Sequence, residues 1–176
     1  MNPATFQQLI LSHHHFPSAI LNLMQGFDVD VLRERENEKR WSPLEILAHV
    51  RDEEIEDFRA RARAAFSGEA LVLNLDPEGW VTSRRYNEMD PGAVYLDFAR
   101  ERAESCRWLE TLDVKDFSRG VEHPKIGVLR MGDFIAAWRM HDLLHMRQFA
   151  TALAVAAGRR MKGWRMDYAG TLPFVL

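Results

Sequence analysis

The stretch Trp41-Ser-Pro-Leu-Glu45 marks a helix start more firmly than any other point in the chain. Ser42 suits the capping position, and Pro43 suits the first helical position, where an amide would have no partner. Glu45 stands three residues after the cap, so its carboxylate can reach back to the Ser42 amide. From there the spacing predicts a helix to about Phe66, stopped by Gly68. Its stripe Leu44, Leu47, Ala48, Ile55, Phe58, Ala62 and Ala65 recurs every three or four residues, which is one face of a helix. The opening LEILAHV is apolar nearly all round and implies deep burial there.

Three more segments share this period. The first runs from about Thr5 to Gln25, with Leu9, Ile10, Ile20, Leu21, Leu23 and Met24 as its apolar residues. Pro17 is expected to kink or divide it, because an interior proline removes one hydrogen bond and crowds the preceding turn. A helix after Asp90-Pro91 runs to about Leu112, with Tyr95, Phe98, Ala99, Cys106 and Leu109 inward. The last runs from near Asp133 to about Gly158. Strand alternation is absent apart from two weak stretches, LVLNL at 71–75 and GTLPFVL at 170–176.

Four helices with apolar faces and no sheet predict an all-α four-helix bundle, with residues 1–176 forming a single domain. The connection from Ser67 to Asp90 is far longer than bundle neighbours need. It carries Trp80, Arg84, Arg85 and Tyr86, so it is expected to pack over one end and to let helices two and three run parallel.

Charge and composition remove several functional classes. The 176 residues carry 23 Lys and Arg against 26 Asp and Glu, a formal net charge of −3, with no basic stripe for nucleic acid. One cysteine excludes an internal disulfide and suits a reducing compartment. The N-terminal stretch lacks the charged and apolar regions of a secretory signal. The segment 134–157, interrupted by Arg139, His141, Asp142, His145 and Arg147, is too polar to span a bilayer. The expectation is a soluble cytoplasmic protein with a small-molecule substrate and no membrane or nucleic-acid partner.

His141 and His145 lie four apart in the last helix, so they share the face that bears Phe134, Trp138, Gln148, Phe149 and Ala152. Inward imidazoles can hydrogen-bond to polar partners, stay neutral at a solvation cost, or share a cation. The spacing matches helical zinc motifs, but Asp142 stands where the metalloprotease version needs Glu. His49, in the most buried part of helix two, could supply a third nitrogen and leave an open position on the ion. Glu53, one turn on, could be a fourth ligand, a general base or a solvated charge. Gln148 could hydrogen-bond a ligand histidine from behind or simply pack.

The remaining polar residues read more plainly. His13, His14 and His15 are expected on a partly exposed surface, and His123 in a loop. Cys106 reads as a small buried hydrophobe. Arg102 is expected to make an outward salt bridge within FARERAES. No nucleophile elbow or phosphate-binding glycine loop is present.

The stretch WSPLEILAHVRDEE, followed far downstream by HDLLHMRQ, resembles the DinB superfamily, the DinB/YfiT-like metalloenzymes. The order matches in His49, His141, His145 and Gln148, and the similarity extends over nearly the whole chain, including Tyr86-Asn87. The resemblance implies an up-down-down-up four-helix bundle, one divalent metal per chain, commonly zinc or nickel, in an open three-histidine site, and a homodimer. Relatives with assigned activity include S-transferases and an isomerase that use low-molecular-weight thiols. The leading expectation is therefore a metal-dependent transferase or hydrolase with Glu53 as its proton shuttle or labile ligand. The competing one is a stress-related binding or scaffold protein whose metal is structural or absent.

Overall fold

One two-residue device opens four helices. Asn2-Pro3, Ser42-Pro43, Asp76-Pro77 and Asp90-Pro91 each place a proline at the first position, and the side chain before it accepts a hydrogen bond from an amide of the first turn. In this computed structural model, which describes residues 2–71 and 74–170, these starts give α1 (Pro3–Met24), α3 (Pro43–Glu53), α5 (Pro77–Ser83) and α6 (Pro91–Glu110). A short α2 (Val29–Arg33) precedes α3, and α4 (Ala60–Ser67) continues it. The long α7 (Met131–Arg160) closes the bundle. At Ser42 the capping box is complete, with Glu45 Oε2 accepting from the Ser42 amide at 2.8 Å. Gly68, at φ +77°, ends α4 in the left-handed conformation that glycine tolerates best.

Of the two outcomes expected at Pro17, a kink or a division, division does not occur, and α1 runs through it. A proline at 17 deprives the carbonyl of residue 13 of its helical donor. Arg102 Nη1 reaches that carbonyl from α6 at 3.5 Å and supplies a substitute. Phe16, Ile20 and Met24 then bury the turns on either side.

Between α3 and α4 the chain forms a π-helical segment, Glu54–Arg59. Its five-residue repeat puts Glu53 and Phe58 on one side and Glu54 and Arg59 on another. Glu53 and Phe58 both lie against His141 on α7. Glu54 and Arg59 both bond to α6, through Arg102 and through Glu101 and Ser105. An uninterrupted α-helix would turn one member of each pair away.

The long helices neighbour one another as a ring, α1 on α6 and α7, and α3 on α6 and α7. Two apolar clusters fill it. One gathers Phe16, Ile20, Leu44, Leu47, Phe98, Phe149 and Leu153, and the other Phe6, Ile10, Ala62, Ala65, Leu109, Met131 and Ile135. Between these residues in the chain lie buried polar groups, one from each part of the ring: His13, Glu54, Arg102 and Asp142. Two expectations fail here. Arg102 is 1% exposed rather than outward, and His13 is equally buried, although His14 and His15 are exposed. Cys106 is buried as expected, and burial pushes its thiol up to about 12.

The connection between α4 and α6 packs on α3. Tyr86 is fully buried and donates to Asp52 Oδ2 at 2.7 Å, and Arg84 bridges Asp52 and Glu56 beneath the Trp80 ring. A hairpin of β1 (Gly120–His123) and β2 (Gly127–Arg130) adds a small antiparallel sheet that the sequence reading lacked. His123 ends β1 and its Nδ1 accepts from the Lys125 amide. Of the two stretches read as weak strands, residues 72–73 and 171–176 lie outside the described ones. Among the described residues no helix is long and apolar enough to cross a membrane.

Candidate metal centre

α3 and α7 bring His49, His141 and His145 together. One nitrogen from each lies within 4.8 Å of the others, and the ring centroids are 4.2 Å apart for 141 and 145, 4.7 Å for 49 and 145, and 5.6 Å for 49 and 141. His49 is buried because α3 is apolar on every side at that turn, and the α7 pair is half-buried. Glu53 is buried, which removes its reading as a solvated charge. Its Oε2 stands 2.5 Å from His141 Nε2 and 3.6 Å from His49 Nε2.

The electrostatics favour neutral rings at His49 and His145 and an ionised Glu53. Burial holds His145 down to about 3, with the neighbouring His141 and His49 adding to the effect. Burial also lowers His49, more strongly than the Glu53 charge raises it. For Glu53, burial favours the protonated acid, but the His141 hydrogen bond and the three imidazoles outweigh it and keep it low. Asp57, one turn further on, is pushed up to about 6 by burial, aided by the Glu53 charge and opposed by Arg61.

The donor set fits a divalent ion. Nδ1 of His49 and Nδ1 of His145 are buried without a hydrogen-bond partner, a state that costs free energy unless something else engages the rings. Neutral imidazoles are the form that binds metal.

Aromatic rings wall the cluster. Trp41 lies 4.7 Å from the His49 ring and stacks parallel to His145, and Phe58 lies 4.7 Å from His141. His145 opens onto a cavity of about 510 Å³ whose other walls are Lys39, Arg40, Trp41, Glu78 and Gln148. Gln148 therefore stands beside His145 on the cavity wall. Trp41, Phe58 and Asp57 had no marker as site residues in the sequence. The Trp-Ser start located Trp41 only as a helix boundary, and nothing in EEIEDFR announces a π segment.

The sequence profile of the DinB superfamily matches residues 13–149, which include every residue of the cluster. The chain belongs to the DinB superfamily. Among solved structures it is similar to YfiT from Bacillus subtilis, described as a probable metal-dependent hydrolase with an unusual four-helix bundle topology. The TM-score is 0.77 at 17% identity, over 94% of this chain and 91% of that one. At that identity the likeness establishes a shared fold. No curated protein matches the chain.

Proposed function

We propose that this DinB-superfamily chain is a metal-dependent enzyme in which His49, His141 and His145 hold one divalent ion. The observation that carries this reading is the convergence of three imidazoles, two of them with buried, unpartnered nitrogens, of which His145 lines an open cavity. The description of YfiT as a probable metal-dependent hydrolase supports it. Such an ion acts as a Lewis acid or lowers the pKa of a bound water or thiol.

The chain's own residues would do the rest. Glu53, ionised and aimed between His49 and His141, accepts the proton released by the nucleophile. Phe58 and Trp41 exclude bulk water from two sides, which strengthens the charge interactions inside. Hydrolysis of a small molecule is the primary reading, and transfer to a low-molecular-weight thiol uses the same parts. Zinc and nickel both suit an all-imidazole set.

The up-down-down-up order belongs to the same proposal. Contacts between 13 and 102 and between 16 and 98 support antiparallel α1 and α6. Contacts between 54 and 102 and between 59 and 105 support parallel α3 and α6. Contacts between 49 and 145 and between 58 and 138 support antiparallel α3 and α7. A homodimer is proposed on the exposed Leu11 and Leu143, which line one groove between α1 and α7.

Metal analysis by mass spectrometry of untagged protein tests the reading, alongside a His141→Ala/His145→Ala variant that keeps residues 13–15. About one zinc or nickel per chain in the parent and almost none in the variant is the expected result. A parent that stays metal-free after incubation with both ions would overturn it.

A further inference from the structure

The buried polar layer raises a question the metal site does not answer. Arg102 sends Nε to Glu54 Oε2 at 2.8 Å and both Nη atoms to the two oxygens of Asp142, each at 2.8 Å. Nη1 also meets His13 Nδ1 at 3.0 Å, and Trp138 Nε1 donates to the same Glu54 oxygen at 3.1 Å. Arg102, Glu54, Asp142 and His13 are all 0–1% exposed. Replacing a buried ion cluster by apolar side chains often leaves a protein as stable or more so. Stability alone therefore gives no reason for this one to be charged.

Its location does. Glu54 directly follows Glu53, and Asp142 directly follows His141. The helix that carries Arg102, α6, bears none of His49, Glu53, His141 and His145. Glu53 ends α3 where the chain passes into the π segment, a turn whose own hydrogen bonding is unusual and which needs holding from outside.

We infer that Arg102 is a positioning residue for the metal centre, an inference that rests on the metal-binding reading above. Two of its bonds fix the rotation of α7 through both oxygens of Asp142, and a third pins the first residue of the π segment. Together they set where Glu53 and His141 meet. The planar fork is the reason for arginine here, since lysine offers a point charge and cannot satisfy two carboxylates with fixed geometry.

The test uses the full chain as Arg102→Lys and as the triple variant Glu54→Gln/Arg102→Met/Asp142→Asn. The triple variant removes all three charges together, so no carboxylate is left buried and unpaired. Chelator competition gives the zinc affinity. The visible absorption of the cobalt(II)-loaded protein reports ligand geometry, and circular dichroism of the metal-free forms reports folding. Arg102 bonds the residues next to the ligands rather than the ligands themselves, so a loss of about 10-fold, the low end for outer partners of a metal, with a changed cobalt spectrum, is expected in whichever variant keeps its helical signal. Parent affinity and a parent spectrum in either folded variant would overturn the inference and leave the metal reading intact. A parent that binds neither zinc nor cobalt would overturn both.

Discussion

The Arg102 layer and the histidine cluster draw on neighbouring residues of α3, the π segment and α7, yet the layer pairs its charges and the cluster does not. In the layer the charges are matched: all three guanidinium nitrogens find carboxylate acceptors, and only His13 Nε2 and Glu54 Oε1 are left without a partner. In the cluster, two imidazole nitrogens are buried with nothing to bond and a third ring faces a carboxylate. A matched set of opposite charges makes a frame, because moving any one of them strands a buried charge. An open set makes a site, because three imidazoles gathered around one carboxylate leave room in the pairing for a cation.

The sharpest way to break this comparison is Arg102→Met alone. It strands Glu54 and Asp142 as uncompensated buried carboxylates, and the expected loss is about 3–5 kcal/mol by urea unfolding of the metal-free protein. His145→Ala removes an unpartnered group instead, so metal-free stability is expected to stay within about 1 kcal/mol of the parent while zinc binding is lost. Equal losses in the two variants would erase the distinction between frame and site.

Much of the frame's scaffolding was legible in the sequence, and the frame itself was not. Capped prolines announce helix starts because cap and proline are adjacent, so α3 and α6 begin where Ser42-Pro43 and Asp90-Pro91 place them. His49, His141 and His145 could be grouped because buried imidazoles are conspicuous on apolar faces. Arg102 was misread because FARERAES offers Glu101 and Glu104 within reach, whereas its actual partners lie 40 and 48 residues away. His13 was hidden by two exposed neighbours of the same type. The hairpin at 120–130 has strands of four residues, too short for alternation to stand out.

Zinc itself probes the open set. Binding to the folded state alone stabilises by about 2.7 kcal/mol at a hundredfold excess over Kd. Thermal unfolding of the parent should shift upward accordingly, and that of His141→Ala/His145→Ala should not move. A shift retained in the variant would transfer suspicion to the exposed His14 and His15.

Acidification should weaken both regions through their buried imidazoles. His13, His49 and His145 all have folded values below the ordinary 6.5, chiefly through burial. Above pH 6.5 both folded and unfolded rings are neutral and nothing is lost. Below it the unfolded chain takes up protons that the folded rings refuse, so stability falls, by up to about 1.4 kcal/mol per pH unit for each ring. Asp57 opposes this below about 6, where its raised value lets the folded state take up a proton first. With chelator present, unfolding free energy should therefore fall as the pH drops from 7 to 5. A His145→Ala variant should lose less, and a flat profile would mean the rings are not held neutral.

The smallest effect tests whether any weakening of α3 disturbs the site. Ser42 caps the helix that carries His49 and Glu53, and its hydroxyl also donates to Asn87 Oδ1 at 2.7 Å. Ser42→Ala should cost about 1 kcal/mol in urea unfolding, because it loosens the first turn. His49 lies seven residues inside the helix and is held by the packing of α3 on α6 and α7, which the cap does not touch. Zinc affinity of the folded protein should thus equal the parent's. If Ser42→Ala weakened zinc as much as Arg102→Lys does, the Arg102 effect would reduce to general loosening of α3, and the frame would lose its separate role.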